Sequence, residues 1–152
     1  MAQRRMFNKV ITNSDDFLEM PVSSQNLYFH LGMNADDDGF INNWKSIIKL
    51  SGSKEDDLKV LIAKQYIIPF ESGVIVIKHW RLNNYLRNDR YTETKFKKEA
   101  KQICLDESMV YQMDTNGIPR LDKIRLDKNR LDKNIDTSNN IDIDNIFGDK
   151  NV

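Results

Sequence analysis

The chain has 152 residues, which is enough for one domain of ordinary size and a tail. Its 23 basic and 23 acidic residues cancel, so total charge gives no reason to expect a nucleic-acid partner, and the distribution of charge must decide. A single cysteine excludes an internal disulfide, two histidines give no zinc-site spacing, and the longest aliphatic run, VIVI at 74–77, is too short for a membrane span.

A first main helix is predicted from about Pro21. Leu27, Tyr28 and Leu31 fall on one face, and the pattern ends near Gly32 or Asn34. The sequence DDDG at 36–39 has turn chemistry, and FI at 40–41 fits a brief strand.

A second helix is predicted after Asn42 or Asn43 and ends at Gly52. Trp44, Ile47 and Ile48 recur on one face of it. The core is therefore expected to include side chains from this helix, its neighbours and the strands that follow: Leu27, Leu31, Trp44, Ile47, Leu58, Leu61, Ile62, Val74 and Val76 or their alternating neighbours.

The third helix is predicted to start at Ser53, with Asp56 completing a capping box. Acidic residues in a first turn offset the partial positive charge of unpaired N–H groups. They also compete with phosphate for that end of the helix, so any DNA contact should depend on other elements too.

A β-hairpin is predicted for residues 66–78. YIIPF and VIVIK flank the tight turn ESG, and Pro69 favours an edge position. Helix, short strand, helix, turn, helix and hairpin is the order of a winged helix-turn-helix domain, which is therefore the predicted fold: mainly α with a small β-hairpin.

Charge is unevenly distributed along the chain. Residues 1–13 carry +3, residues 14–62 carry −5 and residues 78–102 carry +5. The segment 79–101 also interleaves basic residues with aromatic ones, a pattern typical of phosphate-lined surfaces with stacking platforms, although packing on the wing explains it equally well. We expect a basic helical extension over about 79–113.

Residues 114–152 are predicted to be a low-complexity linker and tail without stable structure. The repeat RLDKx every five residues cannot form one helical stripe, because five residues turn a helix by roughly 500°. The acidic-hydrophobic tip is either inert or a docking peptide for another protein, through Ile141, Ile143, Ile146 and Phe147.

Several blocks of residues 1–113, among them QNLYFHLGMNADDDGF, DDLKVLIAKQYIIPFESGVIVIKHW and NNYLRNDRYTETKF, resemble the N-terminal domain of phage replisome organisers of low-GC Gram-positive hosts. That family is similar in plan to DnaD-type primosomal proteins. The resemblance implies cytoplasmic action in a bacterial host cell, binding of a phage or prophage origin, recruitment of a helicase loader or helicase, and self-association. The chain departs from the family because only a short tip follows the repeat.

The predicted partner is DNA, duplex and also single-stranded, with no membrane partner. The expected phosphate contacts come from the N-terminal arm, the third helix and the segment past the wing: Arg4, Arg5, Lys9, Lys54, Lys59, Lys78, Arg81, Arg87 and Arg90. No known base-reading set is present, so the target sequence is not predicted.

No enzyme, metal site or cofactor is expected. The three adjacent carboxylates lack the alternation of an EF-hand loop, and there is no phosphate loop or nucleophile elbow. Two alternatives to replication stay open: a transcription regulator on the same fold, and a protein–protein adaptor whose acidic body never touches DNA.

Overall fold

The computed structural model describes residues 4–114. Helices account for about 41% of this part of the chain and strands for about 13%, so short helices and small antiparallel sheets make a mixed α/β fold. The helices are α1 (Lys9–Thr12), α2 (Asp15–Leu18), α3 (Val22–Asn34), α4 (Trp44–Ser51), α5 (Glu55–Ala63), α6 (Trp80–Asn83) and α7 (Lys97–Ala100). The strands are β1 (Phe40–Ile41), β2 (Ile67–Pro69), β3 (Ile75–Ile77), β4 (Ile103–Leu105) and β5 (Tyr111–Met113).

Helix α3 is the centre of the helical packing. With 13 residues it is the longest helix in the described part of the chain, and it packs against both α4 and α5. Its Leu27, Tyr28 and Leu31 side chains are completely buried. Since burying a large apolar side chain contributes roughly 1.5–3 kcal/mol, this face fixes the positions of the other two helices.

The predicted boundaries of α3 and α4 are confirmed. Pro21 directly precedes α3, and Asn43 directly precedes α4. Gly52 ends α4 with φ +73°, a left-handed conformation that glycine adopts without a steric penalty. Three residues then separate α4 from α5, so the two helices are joined by a tight turn.

Strands β1, β3 and β2 form an antiparallel sheet in that order. The predicted hairpin is confirmed, because Ile67 lies opposite Ile77 and Pro69 opposite Ile75. Pro69 is on an edge strand, where its missing N–H does not interrupt the ladder. Gly73, with φ +89°, allows the reversal of the chain between β2 and β3.

Asp36 closes the outer edge of β1. The Phe40 N–H donates to Asp36 Oδ1 at 2.9 Å, and the Asp36 N–H donates to the Phe40 carbonyl at 3.0 Å. An open strand edge is a template for pairing with another chain. These two bonds satisfy the outward-facing backbone groups of Phe40 and block that pairing.

The predicted core is confirmed at seven of its nine positions. Trp44 and Ile62 are only half-buried. The Trp44 indole instead reaches the hairpin, where its N–H donates to the Gly73 carbonyl at 2.8 Å. Trp44 is the first residue of α4, and Ile62 is the last but one of α5. Both residues therefore lie at a helix end, where the side chain is only partly covered.

The chain divides into two compact units, with the boundary after Phe96. The second unit, within the described residues 97–114, contains α7 and a hairpin of β4 and β5 in which Cys104 lies opposite Gln112. The prediction of a basic helical extension is therefore wrong over most of its length. Residues 84–96 contain no helix, and residues 103–105 and 111–113 form strands.

No helix in the described residues is both long and apolar enough to cross a bilayer. The predicted linker and tail begin at residue 114, and from residue 115 onward they lie outside the described part of the chain. The candidate docking residues of the tip, Ile141, Ile143, Ile146 and Phe147, are among them.

Candidate nucleic-acid interface

The acidic turn, residues 36–39, bonds to the N-terminal arm and to the chain after the hairpin. Asp37 and Asp38 are buried, and Asp36 is half-buried. The Asp36 carboxylate accepts from the Thr94 hydroxyl at 2.6 Å as well as from two N–H groups of its own turn. Burial raises the pKa of the Asp36 carboxyl, and these hydrogen bonds offset part of that rise.

Asp37 holds the N-terminal arm. Its Oδ1 lies 3.1 Å from Arg5 Nη2, and both side chains are at most 2% exposed. The same Arg5 group donates to the Ala35 carbonyl at 2.7 Å, and the guanidinium lies 5.2 Å from the centre of the Trp80 ring. On its other oxygen, Asp37 accepts from the Thr92 N–H at 3.0 Å.

Asp38 holds the segment that follows the hairpin. Its carboxylate forms an ion pair with Arg81 Nη2 at 2.8 Å, with the two side chains 7% and 0% exposed. It also accepts from the Tyr91 hydroxyl and from the Thr94 N–H at 2.9 Å. The acidic turn therefore neutralises two buried arginines and anchors residues 91–94.

Two predicted phosphate contacts, Arg5 and Arg81, need correction for this reason. Each guanidinium is buried against a carboxylate, and moving it onto DNA would leave that carboxylate charged in the interior. The prediction of DNA contact was based on the number of basic residues in each segment. Such a number does not show which basic side chains are neutralised by acids more than 30 positions away.

The rest of the N-terminal arm also packs on the protein. The Met6 N–H donates to Asn84 Oδ1 at 2.8 Å, and the Asn8 N–H donates to Asn83 Oδ1 at 2.9 Å. Phe7 lies against Gly32, where an added Cβ would come within 2.6 Å of its ring. Of the predicted arm contacts, the exposed Arg4 and Lys9 side chains stay accessible.

The start of α5 explains why acidic residues head this helix. Helix α5 begins after Lys54, one residue later than predicted, and Asp57 rather than Asp56 caps it by accepting from the Lys54 N–H at 2.9 Å. Asp57 also accepts from the Ser23 and Ser24 hydroxyls at 2.7 and 2.8 Å, which ties α5 to α3. Burial by itself raises the pKa of the Asp57 carboxyl, but these hydrogen bonds outweigh it, and its pKa lies below the usual value.

The remaining acids of that first turn, Glu55 and Asp56, are exposed. Asp56 forms a weak surface pair with Lys59 at 3.3 Å, with both side chains at least 75% exposed. The predicted contact Lys59 is thus accessible but shares its surroundings with carboxylates. The N-terminal end of α5 does not present a purely basic surface.

Helix α4 supplies two lysines that the sequence reasoning left out. Lys45 and Lys49 are exposed, and their i, i+4 spacing places them on one face of α4. With the exposed Lys54 in the turn before α5, they form a set of three lysines with no ion pair within residues 4–114. The i, i+4 spacing of these two lysines is present in the sequence and predicts that both lie on one face of the helix.

The predicted contacts after the hairpin differ in accessibility. Lys78 is half-buried, and its amine donates to Gln65 Oε1 at 3.0 Å. Arg87 and Arg90 are exposed, and Arg87 has only a surface pair with Asp89 at 3.5 Å. The hairpin turn itself carries Glu71 and no basic residue. Phosphate contact by the turn is thus disfavoured.

Surface charge differs from the charge of the sequence. Of the nine carboxylates in residues 14–62, the four of residues 36–38 and 57 are buried or half-buried and are bonded within the fold. Arg5, Arg81 and Lys64, all outside this segment, form ion pairs with carboxylates of the segment, so part of the net charge of −5 on which the adaptor alternative rests is compensated within the fold. Within residues 4–114, no three His, Cys, Asp or Glu side chains are grouped so as to hold a metal ion.

Comparison of the chain with protein-family models, curated proteins and solved structures finds no match.

Proposed function

We propose that this chain is a winged-helix DNA-binding protein that contacts duplex DNA through α4, α5 and the turn between them, and that acts in the initiation of phage DNA replication. The order α3, β1, α4, α5, β2, β3 and the sheet order β1-β3-β2 support the assignment. In that fold, the β2–β3 hairpin is the wing. The three-residue, glycine-containing turn between α4 and α5 has the form expected in a helix-turn-helix.

The observation that carries the proposal is the group of exposed lysines around this turn. Lys45 and Lys49 form no ion pair among the described residues, and the exposed Lys54 interacts with Asp57 across the first turn of α5, whereas Arg5 and Arg81 are buried against acids. Cations that the fold leaves unpaired can release counterions from DNA phosphates at little cost to stability. Exposed Arg4, Lys9, Lys59, Arg87 and Arg90 extend the proposed contacts.

The acidic residues at the start of α5 set the orientation of the complex. Glu55 and Asp56 are exposed and would repel a phosphate brought to that helix end. The α4 lysines offset this repulsion. We therefore place α4 and the turn against the DNA backbone, with α5 entering the groove by its exposed side rather than by its N-terminus.

The replication role, as opposed to transcription regulation, is supported by the resemblance of residues 1–113 to phage replisome organisers. DNA-binding chemistry is common to both roles. A footprint of the protein on DNA of its own genome separates them: protection of a replication origin supports the proposal, and protection confined to promoters contradicts it.

Replacing Lys45 and Lys49 together by glutamine tests the interface. We expect weaker binding to every duplex and a salt slope shallower by about 1.8, because each phosphate contact contributes about 0.9 to the slope. Fluorescence anisotropy of the full chain with a labelled duplex over a salt series measures both quantities.

Lys64→Gln is the matched control. Lys64 is a half-buried lysine paired with Asp16 at 3.1 Å, so its removal should leave the salt slope unchanged. Absence of duplex binding by the wild-type chain at low salt, or equal slopes for the double variant and the wild type, would contradict the proposed interface.

A further inference from the structure

A cleft lies beside the acidic turn in the first unit. Its volume is about 340 Å³, at the lower end of the range for small-ligand sites. Phe40, Ile41 and Phe96 provide its apolar surface. The Phe96 ring is half-buried and lies 6.3 Å from the Phe40 ring, so part of an aromatic face is available to a ligand.

The rim of the cleft carries polar groups that the fold leaves unused. Asn42 and Asn43 are exposed, and their side-chain amides make no hydrogen bond within residues 4–114. Lys95, also on the rim, is exposed and has no ion pair in the same part of the chain. Amides offer both donors and acceptors, which suits a ligand with edges of mixed polarity.

The charges around the cleft exclude an anion from its interior. Asp36 and Glu93 line it, against one cation, Lys95, while the charge of the third acid, Asp37, is neutralised by Arg5. Asp36 is hydrogen-bonded only to neutral groups, so its charge repels a phosphate. A neutral, planar ligand with an amino group fits these surroundings, because the acceptors of the cleft favour hydrogen-bond donors.

We propose that this cleft binds one unstacked adenine base of single-stranded DNA, which rests on the proposed function and gives it a second DNA substrate. The ring stacks on Phe96, the exocyclic amine donates to an acceptor of the rim, and an asparagine amide donates to a ring nitrogen. Stacking on an aromatic face and asparagine contacts to adenine are established modes of base recognition.

The flanking chain suits the sugar–phosphate backbone of the same strand. Lys95 lies at the mouth of the cleft, and Arg90 is an exposed cation five residues earlier in the sequence. Phosphates can therefore stay outside the acidic interior while the base enters it. Duplex DNA, in which the base is stacked and paired, should not use the cleft.

The test uses the full chain and a short oligothymidine strand with one central 2′-deoxyadenosine. A second strand carries purine deoxyriboside at that position, which lacks only the exocyclic amine. We expect the adenine strand to bind about fivefold to tenfold more tightly, the effect of one hydrogen bond to the amine. Asn42→Ala and Phe96→Leu should weaken the binding of both strands, because they remove an amide and a ring that contact parts shared by the two bases, and Asn13→Ala, at another exposed asparagine, should not.

The outcomes separate this proposal from the duplex interface. Equal binding of the two strands by the wild-type chain would overturn the base site, whether or not the duplex still binds through α4. A preference of the wild-type chain for adenine, together with weaker strand binding by both cleft variants, would support the site even if duplex binding failed. Deoxyadenosine monophosphate binding as tightly as the strand would overturn the assignment to single-stranded DNA.

Discussion

At the residue scale, the carboxylates of the acidic turn hold the N-terminal arm and the segment after the hairpin against the first unit. Asp37 bonds to the arm and to the Thr92 N–H, and Asp38 bonds to Arg81 and Tyr91. Removing one member of a buried ion pair leaves an uncompensated charge, which is far more costly than losing a surface pair. These acids therefore serve the stability of the first unit.

Gly39 should tolerate no side chain. Its φ is +91°, and an added Cβ would lie 2.7 Å from Trp80 Cγ. We expect Gly39→Ala to lower the free energy of unfolding by about 2–4 kcal/mol, from backbone strain and overpacking together. Urea denaturation followed by tryptophan fluorescence measures the loss.

Gly52→Ala is the control for that substitution. Gly52 also has a positive φ, +73°, but nothing lies within 4 Å of its added Cβ. Only the conformational strain remains, and we expect a cost of about 1 kcal/mol. Equal costs at the two positions would contradict the close packing of Gly39 on Trp80.

Asp57 should make stability depend on acid pH. Its pKa is lower in the folded chain than in the unfolded one, so its contribution is present above about pH 4 and is lost as pH falls through the folded pKa. We expect Asp57→Asn to cost about 1–2 kcal/mol at neutral pH and progressively less below pH 4. Asp56→Asn, at an exposed neighbour, should cost little at either pH, and a pH-independent effect of Asp57→Asn would refute the linkage.

At the element scale, residues 79–96 are a strap on the first unit rather than an independent basic helix. One turn of helix, α6, is followed by chain whose backbone N–H groups at Thr92 and Thr94 donate to Asp37 and Asp38. Aromatic residues in this strap mostly pack or bond inward: Trp80 is 1% exposed, and its indole N–H donates to the Asp37 carbonyl. Tyr85 is 37% exposed.

The arginines of the strap should separate by effect. Arg81→Gln should lower the free energy of unfolding by about 3 kcal/mol, because Asp38 loses its charge partner in the interior, while the folded fraction keeps its duplex affinity. The double variant Arg87→Gln, Arg90→Gln should weaken duplex binding and leave the free energy of unfolding nearly unchanged, since both side chains are exposed. Urea denaturation and fluorescence anisotropy on the same samples compare the variants. Loss of duplex affinity in folded Arg81→Gln protein would indicate that Arg81 contacts DNA.

At the scale of the whole molecule, the basic and acidic residues are equal in number but differ in burial. The sequence has 23 basic and 23 acidic residues, yet several acids of the first unit are turned inward, two of them onto arginines. The lysines of α4 are left at the surface without an ion pair among the described residues, and Lys54 in the following turn is also exposed. A formally neutral chain can thus present cations locally to a polyanion.

Duplex DNA should stabilise the protein by mass action. At a free duplex concentration of about 100 times Kd, the proposed interface predicts that the free energy of unfolding rises by about 2.7 kcal/mol, because a ligand that binds only the folded chain stabilises it. Urea denaturation with and without duplex measures the shift. Lys45→Gln with Lys49→Gln should show a smaller shift at the same concentration, and an equal shift would place the binding surface elsewhere.

The sequence by itself determined the elements whose signals are local. Apolar spacing and a terminating glycine located α4, and the turn residues of ESG with Pro69 located the hairpin and its edge strand. These signals suffice because helix and hairpin formation depend on residues only a few positions apart. The exposed α4 lysines were readable by the same spacing.

Only the tertiary structure decided which charged residues are available. Asp38 pairs with Arg81, 43 positions away, and Asp36 accepts from Thr94, 58 positions away. Asp57, rather than Asp56, caps α5, and its carboxylate also accepts from two serine hydroxyls of α3. Charge and spacing along the chain do not encode such pairings, since burial and distance are set by packing. That is why Arg5 and Arg81 looked like phosphate contacts in the sequence and are structural in the fold.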